Sequence, residues 1–336
     1  MTRVAVMGSG SWGTAFAMVL ADAGSDVIVW GRDAAIAADI NDHGRNEAYH
    51  PGIDLPRRIC ATTDPDEVLV GASLVVLAVP AQVLRANLST WAGKVDGDAV
   101  LISLMKGIEL GTTKRMSEVI AEAAGVSADR IAVVSGPNLA REIAERQPAA
   151  TTVACSDEAS ARRLQDACTN DYFRPYWTTD VVGTEIGGAV KNVIALANGM
   201  AAGMGLGENS QASLITRGLA EMARLGVALG ADPLTFQGLA GVGDLVATCQ
   251  SPLSRNRTFG FNLGRGLSVE ETIAVTKQTC EGFKSCQPIL DLARANGVDM
   301  PITEQVVEVV HHGRSPAAMA HSFMSRDTKA ESLLAE

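Results

Sequence analysis

Three groups of residues have types and spacings suited to chemistry. The first is Gly8-Ser9-Gly10-Ser11-Trp12-Gly13, with glycines in the pattern G-x-G-x-x-G. The second is Lys191-Asn192, which interrupts a run where Ile186, Val190, Val193 and Ala197 recur at helical spacing. The third joins a glycine-rich turn ending at Asp244, Gly238-Leu239-Ala240-Gly241-Val242-Gly243-Asp244, to the polar stretch Ser251-Pro252-Leu253-Ser254-Arg255-Asn256-Arg257.

The glycine group follows an apolar strand pattern, Val4–Met7, and opens a helical stretch, Thr14–Ala23. In that setting Gly8 permits a tight turn, Gly10 lets a pyrophosphate approach the backbone, and Gly13 lets helix and strand pack closely. A pyrophosphate is held there by free N–H groups at the helix N-terminus. The expectation is a dinucleotide. The next strand, Asp26–Trp30, ends in Gly31-Arg32-Asp33. A site reserved for NAD usually carries an acidic residue there, facing the ribose 2′-hydroxyl. Here Arg32 is placed to pair with a 2′-phosphate, so NADP(H) is expected to be accepted, with NAD(H) as an alternative. Asp33 turning inward and Arg32 as a solvated loop charge are the competing readings.

Three further segments sit where strands should end: Val79-Pro80, Met105-Lys106-Gly107, and Ser135-Gly136-Pro137-Asn138. Ligands of open α/β sheets bind beyond the carboxyl ends of strands. Lys106 is thus a substrate-contact candidate or a strand-end charge reaching water. Lys191 within an apolar helix is costly unless it meets a partner or a ligand, or unless its stem snorkels to water. Gly187 and Gly188, one turn earlier, suit a close approach by another backbone or a cofactor. Asp244 is placed to start a helix, and Ser251 or Ser254 to cap the next. Arg255 and Asn256 would then lie at a helix N-terminus, where N–H groups and a guanidinium favour a phosphate; a solvated helix start is the plainer reading.

The elements that must hold these groups follow from patterning. Arg3–Met7, Asp26–Trp30, Leu74–Val79, Ala99–Leu104 and Ile131–Ser135 read as short buried strands, most of them separated by helical stretches. That alternation predicts an α/β Rossmann-type domain with a mainly parallel sheet over residues 1–182. From about Gly183 helix signals dominate. They include a capping box at Ser268-Val269-Glu270-Glu271, N-cap–proline pairs at Asp232-Pro233 and Ser315-Pro316, and stops at Asn296-Gly297 and His312-Gly313. An all-α substrate and catalytic domain is expected over 183–336.

Composition narrows the partners. The 336 residues are 47% apolar with a net charge of −10, which argues against nucleic acid or an acidic membrane surface as the main partner. No apolar run approaches the roughly 20 residues of a membrane span, and no export signal is read at the N-terminus. Six scattered cysteines without metal spacing fit a reducing cytoplasm and predict no metal.

Six segments together resemble the NAD(P)-dependent glycerol-3-phosphate dehydrogenases of the bacterial type. They are Gly8–Thr14, Leu104–Glu109, Ser135–Pro137, Glu185–Asn192, Gly238–Asp244 and Ser254–Arg257, in order along nearly the whole chain. The resemblance implies hydride transfer between sn-glycerol 3-phosphate and dihydroxyacetone phosphate with NAD(P)H, supply of glycerol phosphate for phospholipid synthesis, and a cytoplasmic homodimer. It also implies cofactor contacts at Ser11, Trp12, Arg32, Lys106, Ala140, Arg255, Thr279 and Glu281. Substrate contacts are implied at Lys106, Gly136, Asn138, Lys191, Asp244, Ser254, Arg255 and Asn256, with Lys191 as acid/base. The chain departs from the family pattern at Asn138-Leu139, usually Ser or Thr then Phe, and at His50, often Leu. A reductase of a non-phosphorylated small acid and a nucleotide sensor without catalysis are the rival readings. The Ser254-Arg255-Asn256 cluster speaks against the first, and Lys191 with Asp244 against the second.

Overall fold

The computed structural model describes residues 2–276 and 280–325. The chain packs as two units. Met1–Met105 and Met116–Val181 form the first, and Lys106–Arg115 with Val182–Glu336 form the second.

The first unit is built on eight strands: β1 (Arg3–Met7), β2 (Asp26–Trp30), β3 (Ile59–Thr62), β4 (Leu74–Leu77), β5 (Val100–Ser103), β6 (Ile131–Ser135), β7 (Ala149–Cys155) and β8 (Phe173–Thr178). Their order in the sheet is β3-β2-β1-β4-β5-β6-β7-β8. Neighbours from β3 to β6 are parallel, β7 is antiparallel to β6, and β8 is parallel to β7. Chain direction across the sheet reverses its order between β1 and β4, the switch point where doubly wound sheets bind dinucleotides. The buried strands β4, β5 and β6 read as unbroken apolar or small runs, as a sheet covered on both faces requires. The expected α/β class stands, and the five foreseen strands all form, β4 and β5 each two residues shorter than expected. The three unforeseen strands have weaker signals. β3 is only four residues, Ile-Cys-Ala-Thr. β7 opens on alanines, and β8 carries Pro175, tolerated because β8 is an edge.

The second unit is helical. Helix α1 of the first unit (Ser11–Asp22) is discussed below. The second unit includes α2 (Val181–Gly203), α3 (Glu208–Ala228), α4 (Asp244–Gln250), α5 (Arg255–Gly264), α6 (Glu281–Ala295) and α7 (Pro301–His312). Residues 183–201 of α2 are buried without a break, so this helix is the axis of the unit's core. Glycines let α5 lie directly on it. A Cβ added at Gly199 or Gly203 would stand 2.1 or 2.2 Å from the carbonyl oxygens of Arg257 or Phe261. At Gly260 or Gly264 it would meet those of Leu196 or Met200 just as closely. Gly187 likewise faces the Ala240 carbonyl at 2.2 Å, so of the two approaches foreseen there, the structure shows another backbone.

The start and stop signals act as read. Ser268 and Glu271 exchange reciprocal bonds, Ser268 N donating to Glu271 Oε2 at 2.7 Å and Glu271 N to Ser268 Oγ at 3.1 Å. Ser315 accepts from Ala318 N, and Gly297 and Gly313 take positive φ after their helices. Asp232 caps a short 3₁₀ turn, Pro233–Gln237, in place of a full helix.

A single boundary after residue 182 leaves out one exchange. The segment 106–115 leaves the first unit as a tight hairpin, with Ile108 paired to Arg115. Ile108 is fully buried in the helical core, and Arg115 Nη1 lies 2.8 Å from Glu185 Oε2 of α2.

Candidate active site

Two constellations emerge, one in each unit. In the first, β1 ends at Met7 and α1 begins at Ser11, joined by a turn that requires glycine at position 8. Gly8 has φ +144°, and a Cβ there would stand 2.5 Å from the Ala78 carbonyl at the end of β4. A Cβ at Gly13 would stand 2.1 Å from the Gly8 carbonyl. Gly10 differs: nothing lies within 4 Å of its added Cβ. The loop is therefore closed behind and open in front. No side chain caps α1, so the N–H groups of its first turn have no acceptor within the helix. Trp12 Nε1 is buried without a hydrogen-bond partner among the described residues. These orphan donors and the open face at Gly10 fit a dinucleotide pyrophosphate.

Around the loop, Asn46 is fully buried and donates to the Ser9 carbonyl and to Thr14 Oγ1 at 3.0 and 2.9 Å. His50, also buried, sets Nε2 2.7 Å from the Ser11 carbonyl oxygen, so Nε2 carries the proton. Burial holds its imidazole below the usual histidine range. The departure at position 50 thus replaces an apolar filler by a clamp on the loop. Neither residue was singled out as a loop clamp from the sequence; the signal was the fully polar Asn46 at the head of an otherwise unassigned turn.

Arg32 is exposed, with no hydrogen bond or ion pair among the described residues. Asp33 does not turn inward: its Oδ1 accepts from Ala35 N at 2.9 Å, capping the helix Ala34–Ala38. Gly136 has φ +155° at the end of β6. Asn138 donates from Nδ2 to Thr151 Oγ1 at 2.9 Å, leaving Oδ1 buried and without a partner. Ala140 opens a helical turn, Ala140–Ala144, and brings a backbone N–H to its N-terminus.

In the helical unit the charged residues meet. Lys191 and Asp244, 6% and 1% exposed, form a hydrogen-bonded ion pair through Nζ and Oδ1. Lys191 Nζ also lies 2.7 Å from Thr248 Oγ1. Lys106 Nζ holds the other carboxylate oxygen, Oδ2, at 2.6 Å. Two cations thus share one carboxylate. Burial drives the Lys191 ammonium down to about 7, and Lys106 pushes the same way while Asp244 resists. Lys191 is buried and paired, which rules out snorkelling.

The α5 N-terminus abuts this cluster. Ser254, rather than Ser251, caps it, accepting from Arg257 N at 3.2 Å. The Asn256 side chain is held at both its nitrogen and its oxygen. Its Nδ2 donates to Asn192 Oδ1 at 2.9 Å, and its Oδ1 accepts from Gly282 N at 2.9 Å and from Cys280 Sγ at 3.0 Å. Asn192 in turn donates to the Lys106 carbonyl at 3.2 Å. The Asn256 amide is thus braced within the protein, with one Nδ2 hydrogen and the main-chain N–H left to face a ligand. Arg255 is exposed, with no hydrogen-bond or ion-pair partner among the described residues. Glu281 opens α6 beside the Asn256–Gly282 contact. Thr279 lies outside the described residues. Thr248 was missed from the sequence, and Asn192 was noted beside Lys191 without a role. Thr248 stands four residues after Asp244, the helical neighbour spacing that would have found it.

Two family models match this chain: the NAD-dependent glycerol-3-phosphate dehydrogenase N-terminus over residues 3–161, and its C-terminus over residues 180–321. The chain belongs to the NAD-dependent glycerol-3-phosphate dehydrogenase family. Its relatives in that family include glycerol-3-phosphate dehydrogenase (NAD(P)+) of Streptomyces griseus, 65% identical over 98% of both chains. The enzyme of the same name from Thermobifida fusca is 62% identical over 98% of this chain and 99% of its own. The crystal structure of glycerol-3-phosphate dehydrogenase from Coxiella burnetii superposes with a TM-score of 0.91 at 34% identity, covering 96% of this chain and 98% of that one. No helix among the described residues is long and apolar enough to cross a membrane.

Proposed function

We propose that this chain interconverts sn-glycerol 3-phosphate and dihydroxyacetone phosphate, with NADP(H) or NAD(H) as the redox partner. The carrying observation is Lys191: a buried ammonium held by Asp244 and Thr248, brought to about 7 by burial. A group titrating near the working pH serves as acid in one direction and base in the other.

Bound NAD(P)H supplies the hydride that reduces C2 of the ketone. As negative charge grows on the C2 oxygen, Lys191 Nζ gives it a proton. In the oxidative direction neutral Lys191 takes that proton back. Asp244 and Thr248 fix the direction of Nζ, and Lys106 lowers the cost of losing its proton by standing beside it. The substrate phosphate is held by the Arg255 guanidinium and the main-chain N–H groups of Arg255 and Asn256, with Ser254 keeping that helix end in shape. Asn138 offers its unpartnered Oδ1, an acceptor, to a substrate hydroxyl near Gly136. Gly8, Gly10, Ser11, Trp12, Gly13 and Ala140 hold the dinucleotide, Arg32 its 2′-phosphate when present, and Lys106, Arg255, Thr279 and Glu281 contact its far end. Residues 1–182 thus serve as the dinucleotide-binding domain and 183–336, joined by the 106–115 hairpin, as the catalytic one. A cytoplasmic homodimer supplying phospholipid synthesis completes the reading.

The test is oxidation of NADH and NADPH, followed by absorbance, with dihydroxyacetone phosphate and with a non-phosphorylated 2-keto acid. Turnover with the phosphorylated ketone and its collapse in Lys191→Ala are expected. Preference for the keto acid, or near-normal turnover of Lys191→Ala, would overturn the proposal.

A further inference from the structure

We infer that Ser9 and Gly31 form a steric pair that keeps the end of β2 bare and so sets which dinucleotides this enzyme accepts. The inference rests on the dinucleotide site proposed above.

Gly31 follows the last residue of β2, where an NAD-restricted site carries its carboxylate. Its backbone does not call for glycine, since it is absent from the positive-φ residues of this chain. Space does. A Cβ added at Gly31 would stand 2.3 Å from Ser9 Oγ and 2.9 Å from Ser9 Cβ. The second distance matters more, because a rotamer change cannot move Cβ. Relief would need the loop backbone itself to shift, and that backbone is pinned. Gly8 N donates to the Trp30 carbonyl at 3.0 Å, and the Ser9 carbonyl accepts from Asn46 Nδ2 and Thr14 Oγ1. Gly31 N is tied to the Thr62 carbonyl of β3 at 3.2 Å. Neither side of the contact can yield cheaply.

The neighbouring residues then decide the charge seen by the ribose. Asp33, the nearest carboxylate in sequence, is committed to the helix cap at Ala35 N. Arg32 is exposed and unengaged among the described residues. With position 31 bare, the end of β2 presents a guanidinium and no carboxylate. Ser9 is thus a specificity-determining residue acting through the vacancy it enforces at position 31.

The experiment is a double-mutant cycle on the full chain, reading kcat/KM for NADH and NADPH in Ser9→Gly, Gly31→Asp and the double variant. Gly31→Asp alone should lower kcat/KM for both cofactors about tenfold or more, because the loop is displaced. Adding Ser9→Gly should return the NADH value to within about threefold of the parent, with NADPH still depressed. Additive effects, or unimpaired NADH use by Gly31→Asp alone, would overturn the inference. If Gly31→Asp does not fold, Gly31→Ala with and without Ser9→Gly must show the same rescue for both cofactors; its failure is equally decisive. An Arg32→Ala arm separates the two readings. Unchanged NADPH use there sinks the role proposed for Arg32, and the cycle still decides the steric pair.

Discussion

The glycine loop and the lysine cluster are built by opposite means. The loop is made of backbone: its donors are N–H groups, a Cβ at Gly8 or Gly13 would stand only 2.5 or 2.1 Å from a carbonyl oxygen, and no side chain caps the helix it opens. The cluster is made of side chains, with two ammonium groups on one buried carboxylate and an amide relay behind them. A backbone site tolerates almost any pH, since amides do not titrate. A site of buried charges is tuned by each neighbour, and each neighbour can be changed separately. The first therefore suits binding a cofactor shared by many reactions, and the second suits one proton transfer.

That contrast can be broken at several points. The largest effect belongs to Lys191→Ala. Turnover should fall by about 10²–10⁴-fold, the usual worth of a positioned acid. NADH affinity, read by fluorescence titration, should hold, because the loop is untouched. Arg255→Ala comes next. Losing a charged hydrogen bond worth about 1.5–3 kcal/mol should raise KM for dihydroxyacetone phosphate roughly 10–100-fold. If kcat alone fell, Arg255 would not be a phosphate ligand.

The pH profile sharpens the comparison further. Ketone reduction needs the protonated Lys191 and should decline as pH rises through about 7, while oxidation should rise through the same range. Asp244 raises this value and Lys106 lowers it. Asp244→Asn should therefore move both limbs to lower pH, and Lys106→Gln should move them to higher pH. Shifts in one common direction would show that the neighbours act by packing and not by charge.

The smallest effect separates two glycines. Gly10→Ala meets open space and should leave the melting temperature nearly unchanged while raising KM for the dinucleotide. Gly13→Ala collides with the Gly8 carbonyl and should lower the melting temperature by several degrees, consistent with overpacking costs of about 1–3 kcal/mol. Equal behaviour of the two variants would remove the distinction between the loop's closed back and open front.

The same contrast explains what could be read from the sequence. The loop is local: six consecutive residues between a strand and a helix, so its pattern survives without coordinates. The parallel sheet was legible for the same reason, through β1, β2, β4, β5 and β6. The cluster is not local. Lys191 reaches Asp244 and Thr248 across 53 and 57 positions, and Lys106 reaches Asp244 across 138. Each residue was visible as an oddity, but who pairs with whom needs the fold. Asn256 shows the limit best. Its type and place suggest a phosphate ligand, and only the fold shows that its amide also braces Asn192 and Gly282. Asp33 is similar, ambiguous until its cap to Ala35 is seen.

The hairpin 106–115 bears on how this enzyme could be taken apart. The chain passes between the units at Met105, Arg115 and Val181, and the middle excursion carries Lys106. A fragment starting at Val182 would lack one of the two cations on Asp244 and the Ile108 plug of its own core. Swapping the first unit for that of another dehydrogenase, with its connections, would import a foreign hairpin into the lysine cluster. Modular exchange in this fold must therefore move two separate segments of chain together, the ten residues 106–115 and the stretch that begins at Val182.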